Sequence, residues 1–176
     1  AGLPFRLLPL QLLWPNLVTD TFPALALAME PAETDVMARP PRRPDEAILS
    51  GPFLARIFGY GSLITMATLA AYLWALQTSA IHASTVAFMT LSFAQTAHLG
   101  NARSERLVLQ PGRAVANPFA VAGAALSIGL QVLAAVWPPL ANLLHLTPLS
   151  ATDWTVIGGL AAVPAVIGQG VKLVTR

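Results

Sequence analysis

Five stretches of this chain, at about 7–29, 57–76, 82–99, 118–137 and 154–173, run to roughly twenty residues with almost no charge. A hydrocarbon core about 30 Å thick takes about 20 apolar residues of helix to cross. In lipid, every backbone N–H and C=O must find its partner inside the protein, and a helix achieves this within a single segment. The pattern therefore predicts an all-α fold, a polytopic membrane bundle of about five helices. Charged residues make up 10% of the chain, against about 25% in soluble domains, so little is left over for a soluble domain. The third stretch is the shortest and the most polar. The absence of cysteine removes disulfides and thiolate metal sites from consideration, and three scattered histidines are not a zinc pattern.

The basic residues give the expected orientation. Arg39, Arg42, Arg43 and Arg56 lie between the first two stretches, Arg103, Arg106 and Arg113 between the third and fourth, and Lys172 and Arg176 at the C-terminus. Only Arg6 lies on the other side. The positive-inside rule then puts the N-terminus outside and the C-terminus in the cytoplasm. The basic pI of about 9.7 reads as topology and not as nucleic-acid binding, because no aromatic residues are interleaved with the arginines as a stacking platform.

Asp20 is the one acidic residue well inside a long apolar stretch. A carboxylate at the middle of a bilayer costs about 2.5–3.5 kcal/mol on insertion scales, and such residues are functional by default. Asn16 and Thr19 precede it at spacings that place all three on one face of a regular helix. Pro15 and Pro23 flank the group, and each removes a helix donor. Broken backbone at membrane depth is tolerated where it is buried in protein or lines a watery cavity, and transporters aim the freed carbonyls at ions. An oxygen-rich patch of this kind suggests a cation.

The connection at 30–56 is proline-rich and carries two groups of charges; it is predicted to be a cytoplasmic loop without long regular structure. The fourth and fifth stretches are rich in Gly and Ala, which lets membrane helices approach closely. Trp137 and Trp154 bracket the last outer loop as interfacial anchors. Gln95, Thr96 and His98 stand near the cytoplasmic end of the third stretch, where His98 is expected to make inter-helix hydrogen bonds. The first stretch is too long for a signal-peptide h-region and contains Pro, Asn and Asp. The chain begins at Ala and not Met, as a processed product or an excised piece would.

The segments PLQLLWPNLVTD and PALALAMEPAETDVMARPPRRPDEAILS resemble the sixth membrane helix and following loop of P-type cation-transporting ATPases. The calcium-pump branch is the most similar. The likeness continues through TVAFMTLSFAQTAHLGNARSE as the eighth helix, and through Asn117–Phe119, Trp137–Leu140 and Thr147–Trp154 in the last two. It covers essentially the whole chain and implies that 1–176 is the C-terminal membrane domain of such a pump. The resemblance carries the ion-ligand role to Asn16, Thr19 and Asp20. Gln95 falls where the sarcoplasmic-reticulum type has a glutamate ligand and the plasma-membrane type a glutamine, which implies one calcium per cycle. Glu33 and Asp35 match acidic positions of the loop that couples the helices to the phosphorylation domain. Two departures are Thr21, where the sarcoplasmic-reticulum type has glycine, and a last helix without the acidic pair that many members carry.

Calcium takes six to eight oxygens at about 2.3–2.6 Å, more than these four residues and a freed carbonyl offer, so either further ligands come from helices outside this chain or the site is vestigial. The family's phosphorylation motif, Asp-Lys-Thr-Gly-Thr, does not occur here, nor does a glycine-rich phosphate loop. The resemblance thus implies no cofactor in this chain. ATP and Mg2+ would be bound by other domains of a parent pump, and those domains and the lipid bilayer would be its partners. The alternative is a standalone membrane subunit, or a truncated fragment, without transport activity. Neither reading chooses between plasma membrane and organelle.

Overall fold

A computed structural model of the chain describes residues 8–30, 36–38, 49–103 and 117–174. The described residues are helical apart from short connections. Helix α1 (Pro9–Pro15) runs into a wide π turn at Asn16–Asp20 and continues as α2 (Thr21–Ala28). A 3-10 turn at Val36–Ala38 follows, then α3 (Gly51–Ala75), α4 (Ala80–Ala102), α5 (Pro118–Val136), α6 (Pro138–Leu143) and α7 (Ala151–Val174).

The helix starts are written in the sequence. Ser79 accepts the His82 N–H at 3.1 Å, and Asn117 accepts the Ala120 N–H at 3.1 Å, each side chain satisfying a first-turn donor. At α7 the arrangement is reciprocal: the Asp153 carboxylate accepts the Ser150 N–H at 2.6 Å and Ser150 Oγ accepts the Asp153 N–H at 3.2 Å, as in a capping box. Helix α6 ends with His145 at φ 53°. Leu146 N–H donates to the Ala141 carbonyl and His145 N–H to that of Asn142, so the last carbonyls of a short helix are closed by a left-handed residue.

Helix α4 is the central post, packed against α7, α3 and α5. Val86, Ala87, Phe88 and Met89 are fully enclosed, with Tyr72 of α3, Ala134 of α5 and Ile157 of α7 in the same core. This position explains why the third stretch looks polar. Ser84, Thr90, Ser92 and Thr96 all donate to the carbonyl four residues back at 2.8–3.0 Å. Their hydroxyls are therefore satisfied inside the helix that bears them, and a helix wrapped by protein need not be apolar on every face.

Among the described residues, α3, α5 and α7 are both long and apolar enough to cross a membrane. Helix α4 has the length but a more polar composition, and the first stretch is split by its π turn. Two boundaries differ from expectation. The connection predicted to run to residue 56 ends at Ser50, because Pro52 sits in the first turn of α3, where its missing N–H costs nothing. The connection after Trp137 holds α6, which shares the run of prolines at 138 and 139.

Close contact between α4 and α7 depends on Gly168. A Cβ there would come within 2.7 Å of Tyr60 Cε1 and Asn101 Cγ. Asn101 cannot easily yield, since its amide donates to the Ala165 carbonyl at 3.2 Å and its oxygen accepts from Gln169 Nε2. Gly170 has nothing within 4 Å of the equivalent atom. Gly168→Ala is expected to destabilise the protein by about 1–3 kcal/mol in detergent melts followed by circular dichroism, whereas Gly170→Ala leaves the midpoint unchanged or higher.

Candidate functional site

The π turn at Asn16–Asp20, between Pro15 and Pro23, carries three of the residues singled out from the sequence. Such single wide turns inside α-helices occur frequently at functional sites. Here the sequence forces a break, because Pro23 has no N–H for a carbonyl one turn earlier. In the wide register the carbonyl five residues back is that of Val18. It accepts instead from Ser127 Oγ of α5 at 2.8 Å, so a side chain on a neighbouring helix completes the backbone of this one.

The turn separates the three residues expected to share a face. Thr19 is buried, while Asn16 and Asp20 are exposed on the outside of the bundle. The extra residue per turn rotates the group relative to a regular helix, which is why the 3.6-residue spacing misplaced it. Thr19 Oγ1 lies 2.9 Å from the Pro15 carbonyl and 3.0 Å from Gln95 Oε1 of α4. One hydroxyl hydrogen cannot serve both acceptors fully. The pair is relieved if the Gln95 amide turns over and donates to Thr19, an orientation fixed by hydrogen bonding alone.

The structure therefore brings Thr19 and Gln95 together, with Asn16 and Asp20 one turn apart on an accessible face. Glu33 and Asp35 lie outside the described residues. Among the described residues no three His, Cys, Asp or Glu side chains gather as a metal cluster. Any cation held at the turn would rely on one carboxylate and on neutral oxygens, which suits a hard ion. His98 sits against Tyr60 of α3 with ring centroids 4.4 Å apart, but its hydrogen-bond contact, Nδ1 to Asn101 Nδ2 at 3.4 Å, lies within α4, so what crosses between helices is a ring contact and not the expected hydrogen bond.

Several residues that hold the broken helix were not singled out from the sequence. Gln131 stands one turn from Ser127 on α5, and both are fully buried. Its Oε1 accepts from Trp14 Nε1 at 2.9 Å and its Nε2 donates to Met89 Sδ at 3.1 Å. Gln11 Nε2 donates to the Leu144 carbonyl at 2.8 Å, tying α1 to the connection beyond α6. At the far end Arg103 pairs with Glu30 through two bonds, Nε to Oε2 at 3.0 Å and a terminal nitrogen to Oε1 at 3.2 Å. The legible signal was the pair of polar residues four apart in apolar α5.

Comparison with known proteins gives a consistent set of relatives. Residues 4–174 match the model of the family described as cation transporting ATPase, C-terminus. A calcium-transporting ATPase of Bacillus subtilis is 37% identical over 99% of this chain, and calcium-transporting ATPase 1 of Bacillus cereus 33% identical over 96%. The endoplasmic reticulum-type calcium-transporting ATPase 3 of Arabidopsis thaliana is 31% identical over 99% of the chain. The chain spans about one fifth of the length of these relatives, 20%, 21% and 20% respectively.

Removing the hydroxyl that closes the break should be costly. Ser127→Ala leaves the Val18 carbonyl buried without its partner and is expected to lower stability by about 1–3 kcal/mol. Ser84→Ala, which removes only a bond back to the Ala80 carbonyl of its own helix, should be close to neutral. Thermal melts of the two variants side by side check the difference.

Proposed function

The chain belongs to the family of cation-transporting ATPase C-terminal domains, and from that premise we propose that it supplies part of the intramembrane ion site of an ATP-driven calcium pump. In this reading it crosses the membrane five times, as the first stretch, α3, α4, α5 and α7. The basic connections face the cytoplasm and the N-terminus faces outward. The remaining membrane helices and the ATP- and Mg2+-binding domains belong to other parts of the pump, and the connection between α2 and α3 couples them to the site through Glu33 and Asp35.

The observation that carries the reading is the arrangement around the π turn. Thr19 is held against Gln95 from a second helix, and Asn16 and Asp20 present a carboxylate and an amide oxygen on the side away from this bundle. A half shell of this kind is complete only when other helices add oxygens from the open side. Calcium is favoured as cargo by its preference for carboxylate, amide and hydroxyl oxygens over nitrogen and by the named relatives. One carboxylate alone does not neutralise a divalent ion in a low-dielectric interior, so at least one further acidic ligand comes from outside this chain.

Asp20→Asn in the intact pump is expected to abolish calcium-dependent phosphorylation by ATP while the protein still inserts and folds. Phosphoenzyme formed at normal calcium affinity would reject the ligand assignment. With Gln95 in place of a second carboxylate, labelled calcium bound per phosphorylation site is expected to come to one; a value of two would contradict that part of the proposal.

A further inference from the structure

We propose that Glu30, Arg103 and Asn117 form a clamp that positions the ion-site turn by fixing the far end of α2. This inference rests on the function proposed above and concerns residues that do not themselves touch the ion.

Three separate elements meet at the clamp. Glu30 follows the C-terminal end of α2, Arg103 follows α4, and Asn117 caps α5. The arginine side chain is 6% exposed, and the carboxylate engages it through both oxygens. Asn117 is completely buried. Its Nδ2 donates to Glu30 Oε2 at 2.6 Å and to the Ala26 carbonyl at 2.9 Å, while its Oδ1 caps α5. A bidentate arginine–carboxylate pair fixes orientation as well as distance, and lysine does not reproduce its planar fork.

The geometry explains why this matters for the ion. Helix α2 is a stiff rod of eight residues held at both ends by α4. At one end Thr19 meets Gln95; at the other Glu30 meets Arg103. Between them Gly123 lets α5 approach so closely that a Cβ would sit 3.1 Å from the Phe22 carbonyl oxygen. The π turn and Pro23 make the upstream end of the rod the pliable one. Loosening the clamp therefore lets α2 pivot about the turn, and the group displaced is Asp20, the residue preceding α2. A contact ten residues from the carboxylate thus sets where that carboxylate points.

The test uses the intact pump in native membranes, with Glu30→Gln, Arg103→Lys and the double variant. Maximal ATP hydrolysis and the calcium concentration for half-maximal activation are read separately, alongside the thermal midpoint. Each single variant is expected to raise that concentration about fivefold or more with little loss of maximal rate. The double variant should be no worse than the weaker single, because the two side chains act as one unit. Variants that lose folded protein or maximal rate but keep the original calcium dependence would overturn the proposal, since that is what a merely structural contact gives. Fully additive shifts would overturn it as well. ATP hydrolysis by the unaltered pump that ignores calcium would contradict the cargo and not the clamp, which is then judged by the same shift on the cation that activates.

Discussion

The rest of the structure depends on the need to satisfy a broken backbone where water is scarce. Two prolines eight residues apart prevent the first stretch from closing its own hydrogen bonds, and an unpaired carbonyl buried away from water costs free energy comparable to a lost hydrogen bond. Ser127, through the Val18 carbonyl, answers that need from a different helix. Gln131 and Asn117, on the same face of α5, hold Trp14 above and Ala26 below. The consequence is a turn whose open backbone is completed from a neighbouring helix, so where its side chains lie depends on how α2 and α5 are held together.

The same requirement shapes α4. A helix at the centre of a bundle can hold hydroxyls and amides because protein surrounds it, and its own carbonyls accept most of them. Its one outward-reaching amide on the first helix's side, Gln95, lands on Thr19. Around the other end of α4, His82 bridges Thr147 and Asp153 at 3.0 Å each, so the post is tied to α7 and its preceding connection. Among the described residues, the buried polar side chains that reach beyond their own helix thus act where helices meet.

How much of this could be read from the sequence follows from range. Helix length and apolar content are local, so α5 at Pro118–Val136 matched the predicted stretch within a residue. Caps are local too, and Ser79, Asn117 and Ser150 start their helices as their chemistry dictates. The break near Asp20 was legible from Pro15 and Pro23, but its widening into a π turn was not, and that widening decides which of Asn16, Thr19 and Asp20 is buried. Pairings such as Glu30 with Arg103, 73 residues apart, or Trp14 with Gln131, 117 apart, depend on how helices stack and leave no periodic trace. The likeness to cation pumps supplied the expected ligand roles where spacing alone suggested only an oxygen-rich patch.

The central claim is that a cation occupies the turn around Asp20, and the most direct measurement is the position of calcium in the intact pump. A structure solved with calcium, using its anomalous scattering to locate the ion, is expected to place it about 2.3–2.6 Å from an Asp20 carboxylate oxygen, with Asn16 in the same shell. An ion bound elsewhere, with Asp20 facing lipid or paired to a basic side chain, would contradict the account.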